Sequence, residues 1–127
     1  MKVKLKTLMD ALEFVDAETY AFLNTETGET VIWVEYGDND IDEDELEDER
    51  YIRLPDQLEI NEYHMMEAFA YDRDERLVSA IKGRGAFRRF KDTAASIGLL
   101  DDWYRFRDNC YRSRIEDWCE SHGIELE

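Results

Sequence analysis

An α+β fold is expected, with a small antiparallel sheet (a hairpin plus a third strand) packed against a mostly helical C-terminal half. Two observations predict it. The segments Thr19-Tyr20-Ala21-Phe22-Leu23 and Thr30-Val31-Ile32-Trp33-Val34 are rich in β-branched and aromatic residues and flank a connection containing Gly28. After Ile60, in contrast, apolar residues recur at helical spacing between capping residues and glycines. With 127 residues and no Pro/Gly/Ser linker or internal repeat, the chain is expected to form a single domain over residues 1–127.

The first residues read as a short extended piece, Val3 and Leu5. A helix capped by Thr7 follows, with Leu8, Met9, Leu12 and Val15 on its apolar stripe. The two strands and their turn over 24–29 then form an antiparallel hairpin. Between Asp38 and Glu49 nine of twelve residues are acidic, so only Ile41 and Leu46 offset the entropy of ordering the segment. That composition predicts a mobile loop with at most a helical turn. Tyr51-Ile52-Arg53-Leu54 reads as a third strand, stopped by Pro55-Asp56.

The helical half has four members. Asn61 caps a helix through Tyr71, with Tyr63, Met66, Phe69 and Ala70 on its apolar face. Asp72, with Glu75 three residues on, caps a second helix that carries Leu77, Val78 and Ile81 and ends at Gly83. A third runs from Gly85 to Ile97, with Phe87, Phe90, Ala94 and Ile97 in one stripe and Gly98 as its stop. Asp101 caps the longest, which reaches His122 before Gly123.

The formal charge of −16 is unevenly placed. Residues 1–62 hold 19 acids and 5 bases, a net of −14, whereas residues 63–127 hold 13 acids and 11 bases, a net of −2. Duplex DNA and anionic membranes are repelled by the first half, and a basic protein partner fits it. Asp42, Asp44 and Glu47 are the candidate residues of that acidic surface. No apolar run reaches the length of a signal peptide or membrane span, and the cytoplasm is the expected location.

Catalytic and metal signatures are missing from the sequence. Cys110 and Cys119 lie nine residues apart in one predicted helix, on opposite faces and about 13 Å apart along its axis, which excludes a mutual disulfide. They read as small buried hydrophobes. His64 and His122 stand without a Cys-x-x-Cys or His-x-x-x-His spacing, so neither a zinc site nor any other cofactor site is expected. The acidic segment lacks the spacing of a calcium loop. No Gly-x-Ser-x-Gly elbow supplies a nucleophile.

Two groups of cations are candidates for anion or partner binding. In Gly83-Arg84-Gly85-Ala86-Phe87-Arg88-Arg89-Phe90-Lys91-Asp92, the residues Arg84, Arg88 and Lys91 fall within about 60° of one another on a helical wheel, while Arg89 projects elsewhere. Guanidinium forks beside a helix start favour phosphate or carboxylate. The simpler alternative is pairing with local carboxylates. In the last helix Arg107 and Arg114 fall inside the apolar arc of Trp103, Phe106, Cys110, Tyr111, Ile115 and Trp118, where a charge needs a partner. Glu67 or Asp92 would serve as internal partners, and an external anion is the other option.

The turn residues 23–29, Leu54-Pro55, Glu62-Tyr63-His64-Met65-Met66, the 83–92 segment, Trp103-Tyr104 with Phe106-Arg107, and Trp118-Cys119 together resemble the small bacterial proteins of uncharacterised protein family 158. The resemblance spans nearly the whole chain and is most specific at 83–92. It implies a bacterial cytosolic protein and carries over no catalytic residue. The function expected from the sequence is therefore a non-catalytic protein-interaction module with an acidic surface. The alternative is binding of a phosphorylated or single-stranded nucleic-acid ligand over residues 84–91, where Phe and Tyr rings could stack on bases.

Overall fold

The computed structural model describes all residues, 1–127. It is α+β, with a three-stranded antiparallel sheet in the N-terminal half and a helical C-terminal half. The chain divides into two compact units, one made of Met1–Ile60 with Tyr111–Glu127 and one of Asn61–Cys110.

The first unit begins with β1 (Lys2–Val3), α1 (Leu5–Leu12), β2 (Thr19–Asn24) and β3 (Thr30–Val34). It continues through α2 (Glu43–Leu46), β4 (Tyr51–Arg53) and α3 (Gln57–Ile60). Strand order is β3-β2-β4, with Tyr20 opposite Trp33, Phe22 opposite both Val31 and Arg53, and Leu23 opposite Ile52. Asn24 builds the hairpin turn: its side-chain oxygen accepts from the backbone N–H of Glu26 at 2.9 Å, and its carbonyl from Gly28 N–H at 2.8 Å. Ala21 and Leu23 on one sheet face are buried with Leu8, Ala11 and Leu12 of α1. Alternation along the strands sends Tyr20, Phe22, Val31 and Trp33 to the opposite face.

Three features of this unit depart from the sequence expectation. The helix α1 starts at Leu5, so Thr7 lies inside it, and Lys4 occupies the cap without a side-chain bond. Pairing of β1 with β5 (Glu125–Leu126) is the cause, since it holds Lys2 and Val3 extended and turns the chain directly into the helix. That two-stranded parallel ribbon was not expected from sequence. Nor was α3, where Glu59 N–H donates to the Asp56 carboxylate at 2.9 Å and Asp56 N–H donates back to Glu59 at 3.1 Å. This is a reciprocal capping box.

The second unit contains α4 (Glu62–Arg73), α5 (Glu75–Ala80), α6 (Ala86–Ser96) and the first part of α7 (Leu100–Ser121). Asn61 caps α4 as expected, its side chain accepting from His64 N–H at 3.2 Å. Asp74, and not Asp72, caps α5, because α4 continues through Arg73. Its carboxylate accepts from Arg76 N–H at 2.8 Å and also binds the Arg76 guanidinium. Asp101 likewise lies within the first turn of α7, where a carboxylate suits the helix dipole.

Phe69 is the hub of this unit. Its ring meets Phe90 at 6.2 Å, Trp103 at 5.6 Å and Phe106 at 5.4 Å, and Phe90 meets Trp103 edge-on at 4.8 Å. Such tilted and edge-to-face pairs stabilise beyond the area they bury, by about 0.5–1.5 kcal/mol each. Phe87, expected in the same stripe, is exposed and tilts against Tyr63, whose hydroxyl donates to the Ile81 carbonyl at 2.9 Å.

Candidate functional site

On the first unit, the sheet face opposite α1 carries rings rather than aliphatic side chains. Tyr20 and Trp33 stand side by side with centroids 6.5 Å apart. Phe22 is next along β2, and Arg53 comes from β4. The acidic segment crosses this face. Glu43, Leu46 and Glu47 sit at the i, i+3, i+4 positions of the one-turn helix α2, so they share a side. With Tyr20, Phe22, Trp33 and Arg53 they enclose a groove of about 290 Å³.

Two anchors hold the segment there. Leu46 is half-buried in the groove wall. At the other end the Asn39 side chain accepts from Val34 N–H at 2.8 Å and donates to the Val34 carbonyl at 2.9 Å. It takes the place of a further strand along the edge of β3. Of the three acidic candidates, Glu47 lines the groove, while Asp42 and Asp44 are exposed to solvent. Arg53 is engaged already, by the Glu59 carboxylate at 2.9 Å, Asp56 at 3.3 Å and the Leu54 carbonyl at 3.1 Å. The groove therefore retains the negative charge of Glu43 and Glu47.

The 83–92 segment in the second unit is a turn held by the arginine that the helical wheel set apart. Arg89 Nε donates to the Ala80 carbonyl at 3.1 Å, and its two terminal nitrogens donate to the carbonyls of Lys82 and Arg84. One guanidinium thus satisfies the carbonyl of the last α5 residue and two carbonyls of the turn that follows it. Gly83 and Gly85 have φ of 79° and 71°, in the left-handed region. A Cβ at Gly85 would come within 3.3 Å of Arg89 Nη1, so that position needs both the conformation and the space. The three candidates Arg84, Arg88 and Lys91 are all exposed, and Arg88, its side chain 90% exposed, has only Asp92 at 3.9 Å.

In the last helix, Arg107 donates from Nε to Glu62 Oε1. Arg114 donates from Nε to the Ile60 carbonyl at 3.3 Å. Arg107 thus has a carboxylate partner, Glu62 in place of the expected Glu67 or Asp92, whereas the partner of Arg114 is a backbone carbonyl. Close by in α7, Trp118 Nε1 donates to the Arg53 carbonyl at 3.0 Å. Cation–π contacts are made by Arg73 over the Phe69 ring at 4.7 Å and by Arg50 over Tyr51 at 5.2 Å.

Neither Cys110 nor Cys119 is in a disulfide; Cys119 is buried and Cys110 only half so. Burial pushes the Cys119 thiol up, away from the thiolate that a nucleophile requires. His64 is exposed, near Glu67 at 3.9 Å. His122 sits against the Trp118 ring at 4.7 Å, with Nδ1 2.8 Å from the Trp118 carbonyl. No group of three or more His, Cys, Asp or Glu side chains converges as a metal site, and no helix is long and apolar enough to cross a membrane.

A family model described as Uncharacterised protein family (UPF0158) matches residues 1–126. No curated protein and no solved structure matches the chain.

Proposed function

From the membership of this chain in the uncharacterised family UPF0158, which brings no activity with it, we propose that the protein is a non-catalytic interaction module that docks on a basic protein surface. The acidic strap carries the proposal. Nine carboxylates in residues 38–49 are displayed by a segment fastened at Asn39 and Leu46, so the charge is presented from a held backbone and not from a free tail. A prearranged charged surface speeds encounter and selects partners of opposite sign. Two cysteines outside any disulfide suit a reducing compartment, in keeping with a cytoplasmic site of action.

The test is binding of a labelled lysine- and arginine-rich peptide, followed by fluorescence anisotropy across a salt series. Replacing Asp42 and Asp44 by Asn and Glu47 by Gln should weaken binding several-fold, with most of the loss at low salt, where the screening length is longest. Equal affinity of the triple variant and the parent at low salt would remove the acidic surface from consideration.

A second reading rests on the exposed cations Arg84, Arg88 and Lys91 beside the exposed Phe87 ring. They would take a phosphorylated or single-stranded nucleic-acid ligand by charge and stacking. Saturable binding of a single-stranded oligonucleotide, lost in Arg84→Ala/Arg88→Ala, would favour it over the first.

A further inference from the structure

We propose that the groove between the sheet and α2 receives one arginine side chain of the partner, whose guanidinium lies on the Tyr20 and Trp33 rings and is met by the carboxylates of Glu43 and Glu47. This deepens the acidic-module reading and rests on it.

Size sets the first limit. A space of about 290 Å³ stands at the lower end of what small-molecule pockets occupy, and suits a single long side chain better than a whole cofactor. Its lining sets the second. Tyr20, Phe22 and Trp33 bring three rings to one side, Tyr20 and Trp33 tilted 43° to each other, and a cation on a ring face is attracted by the ring quadrupole, most strongly for Trp. Glu43 and Glu47, both exposed, stand on the opposite wall one helical turn apart. An anion is excluded by that pair, and a neutral apolar side chain would leave their charge unanswered.

The choice of arginine over lysine follows from shape. A planar guanidinium stacks on an aromatic face while its edge keeps donors for carboxylates, whereas an ammonium is a compact, strongly hydrated point charge. The charge of the groove's own cation is offset, since Arg53 binds Asp56, Glu59 and the Leu54 carbonyl through Nη1. Charge complementarity extends beyond the groove. The surrounding residues 38–49 would draw the basic neighbours of an inserted arginine.

The experiment is an NMR titration of the full chain with a short capped peptide holding one central arginine between glycines. Its citrulline counterpart, equal in shape but uncharged, serves as control. The reporter is the Trp33 indole N–H resonance, identified by its loss in Trp33→Phe. The arginine peptide should move this signal saturably, the citrulline peptide should bind at least about tenfold more weakly, and Trp33→Ala should weaken binding about fivefold or more. Glu43→Gln/Glu47→Gln, at two exposed positions, should weaken it by about fivefold.

Equal responses to arginine and citrulline would overturn the proposal, whether or not Trp33→Ala folds. If a lysine- and arginine-rich peptide binds and Asp42→Asn/Asp44→Asn weakens it while the Trp33 signal stays still, the groove assignment falls and the acidic surface stands. If neither peptide binds at low salt, both fall together.

Discussion

Arg107 and Glu62 form an ion pair across 45 positions of sequence, joining α7 to the first turn of α4, with side chains 22% and 24% exposed. Partial burial places the pair between a solvent-screened surface bridge and a fully desolvated one. Arg107→Ala should therefore cost about 1–3 kcal/mol in urea unfolding, the range for losing a charged hydrogen bond and leaving its partner poorly solvated. A double-mutant cycle with Glu62→Gln should return a coupling well above the few tenths expected for exposed pairs. Additive single effects would show that the pair contributes nothing of its own.

Within the 83–92 turn the arginines should separate sharply. Arg89→Ala removes donors to three carbonyls and should destabilise by about 2 kcal/mol. Arg84→Ala, Arg88→Ala and Lys91→Ala should each stay within about 0.5 kcal/mol, as for exposed surface positions. Denaturant midpoints of the four variants, compared at unchanged slope, decide the matter.

Asp74 supplies a prediction about acid. Hydrogen bonds from the Arg76 side chain and from Arg76 N–H hold its carboxyl down to about 2, against an ordinary value of 3.8. A depressed folded-state value means the carboxylate favours the folded state above the unfolded pKa, and that contribution disappears as pH falls from about 4 through 2. Asp74→Asn should flatten the stability profile in that window and leave its shape above pH 5 unchanged. An Asp74 carboxyl signal titrating near 4 in the folded protein would contradict this.

Asn39 tests how the strap is held. Asn39→Ala deletes the two bonds to Val34 and should cost about 1 kcal/mol. Amide exchange should accelerate in residues 38–49 and at Val34 and stay unchanged in the Phe69 cluster. Uniform acceleration everywhere would indicate global destabilisation in place of a local release.

The parts of the fold legible in sequence are those that local chemistry determines. Asn24 and Gly28 announce the hairpin, and helix-ending glycines at 98 and 123 mark the stops of α6 and α7. What sequence concealed depends on distant or competing partners. The β1–β5 ribbon is two residues per strand and joins opposite ends of the chain, so no local pattern marks it. The Asp56–Glu59 capping box follows Pro55 and was masked by that stop signal. Glu62 and Glu67 are five residues apart, about 140° around a helix, so a one-turn uncertainty in where α4 faces α7 selects the wrong partner for Arg107. The groove had a visible half: alternation alone places Tyr20, Phe22, Val31 and Trp33 on one face. The other half required knowing that the acidic segment folds across that face.

The sequence order of the two units has a bearing on synthesis. The unit that contains the sheet is interrupted, since residues 61–110 intervene before Tyr111–Glu127 complete it. On the ribosome residues 61–110 emerge whole before the last part of the other unit, and the β1–β5 ribbon forms only once Tyr111–Glu127 arrive. During that interval the net charge of −14 on residues 1–62 opposes self-association of nascent chains. The same carboxylates that present a docking surface in the finished protein thus act earlier as a solubilising coat for an unfinished one.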